Sequence, residues 1–290
     1  MGERRAGLPA PVISSAPQLV ALLGRHGVRP SRALGQNFVV DPNTVRRVAR
    51  VAGVGPDDHV LEVGPGAGSL TLALAERGAA VTAVEADGRL LPILEEVLGG
   101  TGCVRVVHCD ALRADWASLL AGSDRWALVS NLPYNIATPL VAGLLDSVPA
   151  VARMTVMVQR EVGERLCAAE GSPAYGAVSV KVAYWARAKV VGRVPATVFW
   201  PRPHVESVLV SLERRPEPAV AGVTPEALFG LVRAGFAGRR KMLRRSLGGL
   251  VSPDAFARAG VDPEGRAEDL GVCAWGRLAL AAADPAWARR

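Results

Sequence analysis

The sequence predicts an α/β protein: a doubly wound, Rossmann-like parallel sheet with an antiparallel edge, followed by a small all-helical domain. Three observations lead there. Short valine-rich runs alternate with helical stretches from His59 to Gln159. A glycine turn, "VGPGAG" at 63–68, stands between the first run and the helix after it. At "RRPEPAVAGVTPEA" prolines and small residues replace the strand residues, and every later segment has a helical pattern.

In chain order, "PQLVALLGRHG" is a helix that Pro17 starts and Gly27 stops, and "VRPSRALGQNFVV" reads as a loop. In "DPNTVRRVARVAG", Asp41 caps, Pro42 takes the first helical position and Gly53 terminates. "HVLEVG", "AVTAVE", "VRVVH", "WALVS" and "RMTVMVQ" are strands. The helices between them are "SLTLALAERG", "GRLLPILEEVLGG", a short piece around Trp116–Leu120, and "PLVAGLLD". "EVGERLCAA" and "AYGAVSVKVAYWA" follow as helices, then "KVVGRV" and "SVLVSLER" as late strands with little between them, which suits an antiparallel pair. Beyond the linker, "TPEALFGLVRAGFAG", "RKMLRRSLGG", "SPDAFARAG" and "CAWGRLALAAA" are helical, with Thr224 as the first cap. The expected domains are 1–214 and 222–290.

The 290 residues are 50% hydrophobic, enough for one or two cores. No run of eighteen apolar residues is free of charges or breakers, and the first residues show no apolar stretch of signal-peptide length, so a cytoplasmic protein is expected. Cys103, Cys109, Cys167 and Cys273 lack CxxC spacing and read as reduced, mostly buried thiols. The four histidines form no ligand cluster, so no metal site is expected. The formal net charge is +7, and only three of the 34 basic residues are lysine. Genome composition explains the arginine bias; the surplus charge attracts polyanions, nucleic acid first.

The chemistry begins at the glycine turn. Gly64, Gly66 and Gly68 allow a ligand close to the backbone, and Glu85 ends the next strand 21 residues after Gly64, where a carboxylate accepts from ribose hydroxyls. That pattern suits NAD or S-adenosyl-L-methionine. Pro65 removes a donor that a pyrophosphate would use, and Glu62 just upstream favours a cationic ligand. Both features point to the sulfonium cofactor. Asp110, after the third strand, is placed to accept from an adenine amine; capping the following turn is its competing role.

The fourth strand runs into "SNLPYNI" at 130–136. The Asn131 side-chain oxygen and the Leu132 carbonyl can each accept one N–H of an exocyclic amine and aim its lone pair at a methyl group. Pro133 fixes their convergence, and Tyr134 offers a ring for an extruded base. Phe199, in "VFWPRPHVESVLV", either faces Tyr134 across that base or plugs the core beneath.

These segments, with "LGQNFVVD", "VTAVEAD", "CDAL", "MVQREVGERL", "AYGAVSV" and "FAGRRKMLRRSL", resemble the rRNA adenine N6,N6-dimethyltransferase family, in its small-subunit branch, over about Ser31–Leu280. The resemblance implies a class I methyltransferase sheet with a helical C-terminal domain. It implies cofactor contacts at Asn37, Val39, Gly64, Glu85, Asp110 and Asn131, and two methyl transfers to each of two adjacent adenosines near the 3′ end of small-subunit rRNA. The family usually has leucine where Ala67 stands and a Pro-Pro-Pro-like run where "PRPHV" stands. Large-subunit methylases of macrolide resistance and a non-catalytic transcription factor are the rival relatives. The expected partner is rRNA within the small ribosomal subunit or its precursor, bound by a monomer. Arg239, Arg240, Lys241, Arg244 and Arg245 carry five charges with no acid among them and read as an RNA-backbone contact, with 240, 241, 244 and 245 on one helix face.

Overall fold

The computed structural model describes residues 13, 15–31 and 33–283. Its first half contains α1 (Ala16–Arg25), β1 (Phe38–Val39), α2 (Pro42–Ala52), β2 (His59–Val63), α3 (Ser69–Ala75), β3 (Ala80–Glu85), α4 (Leu91–Leu98), β4 (Val104–His108), α5 (Trp116–Leu119), β5 (Trp126–Asn131), α6 (Ala137–Ser147) and β6 (Val151–Gln159). Then come α7 (Arg160–Leu166), α8 (Ala177–Trp185), β7 (Ala186–Val194), β8 (Phe199–Trp200), β9 (Ser207–Arg214), α9 (Pro225–Ala237), α10 (Leu243–Ser246), α11 (Pro253–Ala259) and α12 (Val272–Ala282).

Local chemistry sets the boundaries. The Asp41 carboxylate accepts from the Asn43 and Thr44 amides, Pro42 occupies the first turn of α2, and Gly53 closes the helix at φ 62°. Val45, Val48, Ala49 and Ala52, spaced three and four apart, are the buried stripe of α2.

Seven strands form one sheet in the order β4-β3-β2-β5-β6-β9-β7. β2 pairs in parallel with both β3 and β5, and β5 with β6. β9 is antiparallel to β6, so the reversed strand enters between β6 and β7, one place in from the edge. Chain order reverses on either side of β2, and the crevice at its carboxyl end is where doubly wound sheets hold ligands. One core cluster joins α2 and α3 to the sheet; another joins Leu19, Leu22 and Leu23 of α1 to Ile93, Leu94 and Val97 of α4. The segment read as a loop contains β1, which pairs antiparallel with β8 through Phe38–Trp200 and Val39–Phe199. Two residues are too few to show a strand period.

The chain forms two compact units, 1–163 with 189–213, and 164–188 with 214–290. This differs from a single cut at 214–222. The cause is the burial of Tyr175, Val180 and Tyr184, which share a core with Leu228, Phe229 and Trp275. The Tyr175 hydroxyl also donates to the Leu270 carbonyl at 2.9 Å.

The arginine-rich segment departs from the expected helix. α10 is only Leu243–Ser246, and the Lys241 amide bonds back to Gly238 in a turn. The Leu243 and Arg244 amides donate to Gly265 and Pro263, so the loop at 263–265 takes the bonds that a longer helix would need. Residues 240, 241, 244 and 245 therefore share no helix face. The cysteines are also less buried than expected: Cys103, Cys109 and Cys167 are half-buried and Cys273 is exposed, all as free thiols. Among the described residues no helix is long and apolar enough to cross a membrane, and no three His, Cys, Asp or Glu side chains gather as metal ligands.

Candidate active site

A cavity of about 370 Å³ opens at the carboxyl ends of β2, β3 and β5, and residues 34–39 line it as well. Gly64 and Gly66 have φ of 72° and 60°, a region that side chains disfavour. A Cβ on Gly64 would lie 3.0 Å from the Pro133 ring, and one on Gly66 2.9 Å from the Phe38 ring. The turn's glycines thus let "NLPY" and "QNF" close on the same space.

Glu85 is 6% exposed. Its oxygens accept from the Asp87 amide at 2.8 Å and the Gly66 amide at 3.3 Å. Burial raises its pKa, and these amides oppose the rise. Glu62 is buried more deeply, with Oε2 lacking a hydrogen-bond partner. Burial pushes its carboxyl up to about 8, and the nearby Glu85 charge adds to the rise. Asp110 lines the cavity while its Oδ1 accepts from the Leu112 amide at 2.9 Å. The turn-capping role is therefore present in the same residue.

Asn131 is held by one bond. Its Nδ2 donates to the Asn37 carbonyl at 2.9 Å, which fixes the amide's orientation. Oδ1 is buried and has no hydrogen-bond partner among the described residues. Leu132, Pro133 and Tyr134 line the cavity beside it. The Tyr134 hydroxyl bonds Ser207 Oγ at 2.8 Å, and burial raises its pKa, so the phenol stays neutral.

Asn37, Val39, Gly64, Glu85, Asp110, Asn131, Leu132, Pro133 and Tyr134 all line this cavity. Phe199 does not. It is 3% exposed and sits in the core with Val39, Val194 and Leu209, which is the plug role. Arg239, Arg240, Lys241, Arg244 and Arg245 are exposed and belong to the second unit. Arg239 pairs with Glu268 at 2.9 Å and Arg244 with Glu264 at 3.3 Å. Arg240, Lys241 and Arg245 make no ion pair among the described residues.

One constellation was not read from the sequence. Gln36 Nε2 donates to Asp87 Oδ2 at 2.9 Å, and the Arg89 guanidinium clasps the same carboxylate at 2.8 and 2.7 Å. Arg89 first, and then Gln36, hold the Asp87 carboxyl down at about 2. Asp87 stands two residues past Glu85, but spacing alone gives no sign that a residue 51 positions upstream meets it.

Among the described residues the lining has three carboxyl side chains, Glu62, Glu85 and Asp110, and no Lys, Arg or His. With the Glu85 and Asp110 carboxyl groups and the unpartnered Asn131 amide oxygen, this acceptor set fits a ligand that carries cationic sulfonium and ammonium groups, and it is poor for a pyrophosphate.

Fold and site together define a class I methyltransferase. A family profile described as ribosomal RNA adenine dimethylase matches residues 28–283, and the chain belongs to that family. It is 47% identical to ribosomal RNA small subunit methyltransferase A of Thermobifida fusca, with 96% of each chain covered. It is 46% identical to the protein of the same name from Streptomyces coelicolor, covering 87% of this chain and 91% of that one. Among solved structures, the 23S rRNA methyltransferase ErmE superposes with a TM-score of 0.65 at 30% identity, over 84% of this chain and 98% of that one. A dimethyladenosine transferase from Plasmodium falciparum gives 0.71 at 22% identity, over 83% and 95%, a likeness of fold.

Proposed function

We propose that the protein dimethylates adenosines of small-subunit rRNA at N6, at two adjacent positions near the 3′ end, during assembly of the subunit in the cytoplasm. S-adenosylmethionine supplies an electrophilic methyl group next to the acidic lining when it is bound. The observation that carries the reading is the orphaned Oδ1 of Asn131, buried and oriented by the bond to Asn37.

An exocyclic adenine amine has a lone pair delocalised into its ring. Asn131 Oδ1 accepts one of its N–H bonds, the Leu132 carbonyl is the expected second acceptor, and both hold the nitrogen toward tetrahedral geometry. This is catalysis by positioning and electrostatics: the N–C bond would form as the sulfonium's S–CH3 bond breaks to leave a neutral thioether, and the methylated nitrogen's proton, acidified by the new bond, leaves to water. Tyr134, neutral and tied to Ser207, offers its ring as a stacking face. Glu85 would receive the ribose hydroxyls and Asp110 the adenine amine of the cofactor, while Glu62, kept protonated at neutral pH by burial, would offer a hydrogen-bonding group and no charge. Asn37 and Val39 complete the wall of the cavity.

The test is to incubate the protein with methyl-labelled S-adenosylmethionine and undermethylated small or large subunits, then map the label. Two adjacent dimethyladenosines in small-subunit rRNA are expected. Label confined to the large subunit would overturn the assignment.

A further inference from the structure

The loop between β8 and β9 contributes nothing to the cavity just described, yet it leads straight into Ser207, the residue that binds the Tyr134 hydroxyl. An open cleft of about 510 Å³ lies along it. Pro195, Thr197, Arg202, Pro203 and His204 are among the residues that line it. Arg202 and His204 are exposed, and neither makes an ion pair or hydrogen bond among the described residues. Glu206 also lines the cleft, and its carboxylate lies 3.9 Å from the Arg160 guanidinium.

The cleft presents a guanidinium and an imidazole on either side of Pro203. Arginine presents a planar fork that matches a phosphodiester and also stacks on bases. Histidine and proline offer further stacking faces.

A base that enters the cavity beside Tyr134 stays bonded to its two neighbours through phosphodiesters. The strand must leave the cavity mouth past the tyrosine, and the cleft begins one residue from Ser207. We propose that this cleft is the subsite for the nucleotide flanking the target base, with Arg202 on its phosphodiester and His204 and Pro203 against its base. The proposal rests on the reading of the substrate as RNA presenting one extruded adenosine. It adds a local contact in the first unit that is independent of the arginine-rich segment.

The experiment measures steady-state methylation of undermethylated small subunits by the full chain and its Arg202→Ala, Arg202→Lys and His204→Ala variants, with cofactor affinity by calorimetry. Arg202→Ala should raise the subunit KM about tenfold and lower the salt slope of subunit binding by roughly 0.7–0.9, the value of one neutralised phosphate. Cofactor affinity should not change. Arg202→Lys should restore the slope, because a point charge still meets a phosphate. His204→Ala should raise KM severalfold and leave the slope unaltered. Unchanged KM and slope in Arg202→Ala, with the wild type active, would overturn the subsite alone. A lysine variant that fails to restore the slope would overturn the phosphate assignment. A wild type inactive on small subunits would instead defeat the underlying functional reading.

Discussion

Asn131 and Asn37, 94 residues apart, are joined by a single hydrogen bond of 2.9 Å from a side-chain amide to a backbone carbonyl. That bond decides which end of the Asn131 amide faces the cavity. Replacing Asn131 with alanine removes an acceptor that acts mainly in the transition state. Turnover should fall on the order of 10²-fold or more, with cofactor affinity changed much less. Single-turnover methylation of small subunits checks it; a near-normal rate would remove Asn131 from the chemistry.

Glu85→Ala should weaken S-adenosylmethionine binding by about 1.5–3 kcal/mol, the worth of a charge-assisted acceptor. Isothermal calorimetry reads this directly. An unaltered dissociation constant would place the ribose elsewhere.

The stability of the cofactor-free protein should fall as pH rises from about 4.5 to about 8, through Glu62. Its folded pKa lies above its unfolded one, so across that window the folded state keeps a proton that the unfolded chain has lost. The slope should be on the order of 1 kcal/mol per pH unit. Thermal melts at pH 5.5, 6.5 and 7.5 should show that slope reduced in Glu62→Gln. Parallel curves for variant and wild type would refute it.

Gln36→Ala should speed cofactor release. Gln36, beside the lining residue Asn37, is tied to Asp87, and the Asp87 amide in turn holds Glu85. Stopped-flow dissociation should show a rise of several fold while kcat on saturated enzyme stays close to wild type. An unchanged off-rate would mean that the β1–β8 pair alone holds that wall.

In the arginine-rich segment, charges are not equivalent. Arg239 and Arg244 are engaged by Glu268 and Glu264. Neutralising Arg240 and Lys241 should therefore flatten the salt dependence of subunit binding by roughly one unit for each phosphate left without its cation. Neutralising Arg239 should do less, since surface ion pairs contribute little and its carboxylate partner already offsets its charge. Equal slopes for both would show that these ion pairs dissolve on RNA.

The alternating strands and helices were legible because each has its own period and punctuation, as in Asp41, Pro42 and Gly53 around α2. The lining of the candidate cavity was legible for a related reason: Gly64, Glu85, Asp110 and Asn131 follow successive strand ends, and one sheet edge gathers them. What escaped was non-local. The β1–β8 pair is two residues long on each side, and the Gln36–Asp87 bond joins a loop to a turn. Phe199 could not be assigned from sequence, because an aromatic beside prolines suits a stacking face and a core plug equally; the fold buries it with Val39, Val194 and Leu209. The shortened α10 depends on carbonyls at 263 and 265 that no local pattern announces.

The second unit's divided sequence also sets a timetable for its synthesis. Tyr184 of α8 packs edge-on against Phe229 and shares its core with Trp275, about ninety residues later in the chain. At ordinary elongation rates of about 5–20 residues per second, α8 waits roughly 5–20 s for that partner. During the wait its apolar side chains have no completed core of their own. The growing chain must carry this unsealed helix through translation of everything from β7 to α12, and a truncation that ends before α12 would leave it in that state for good.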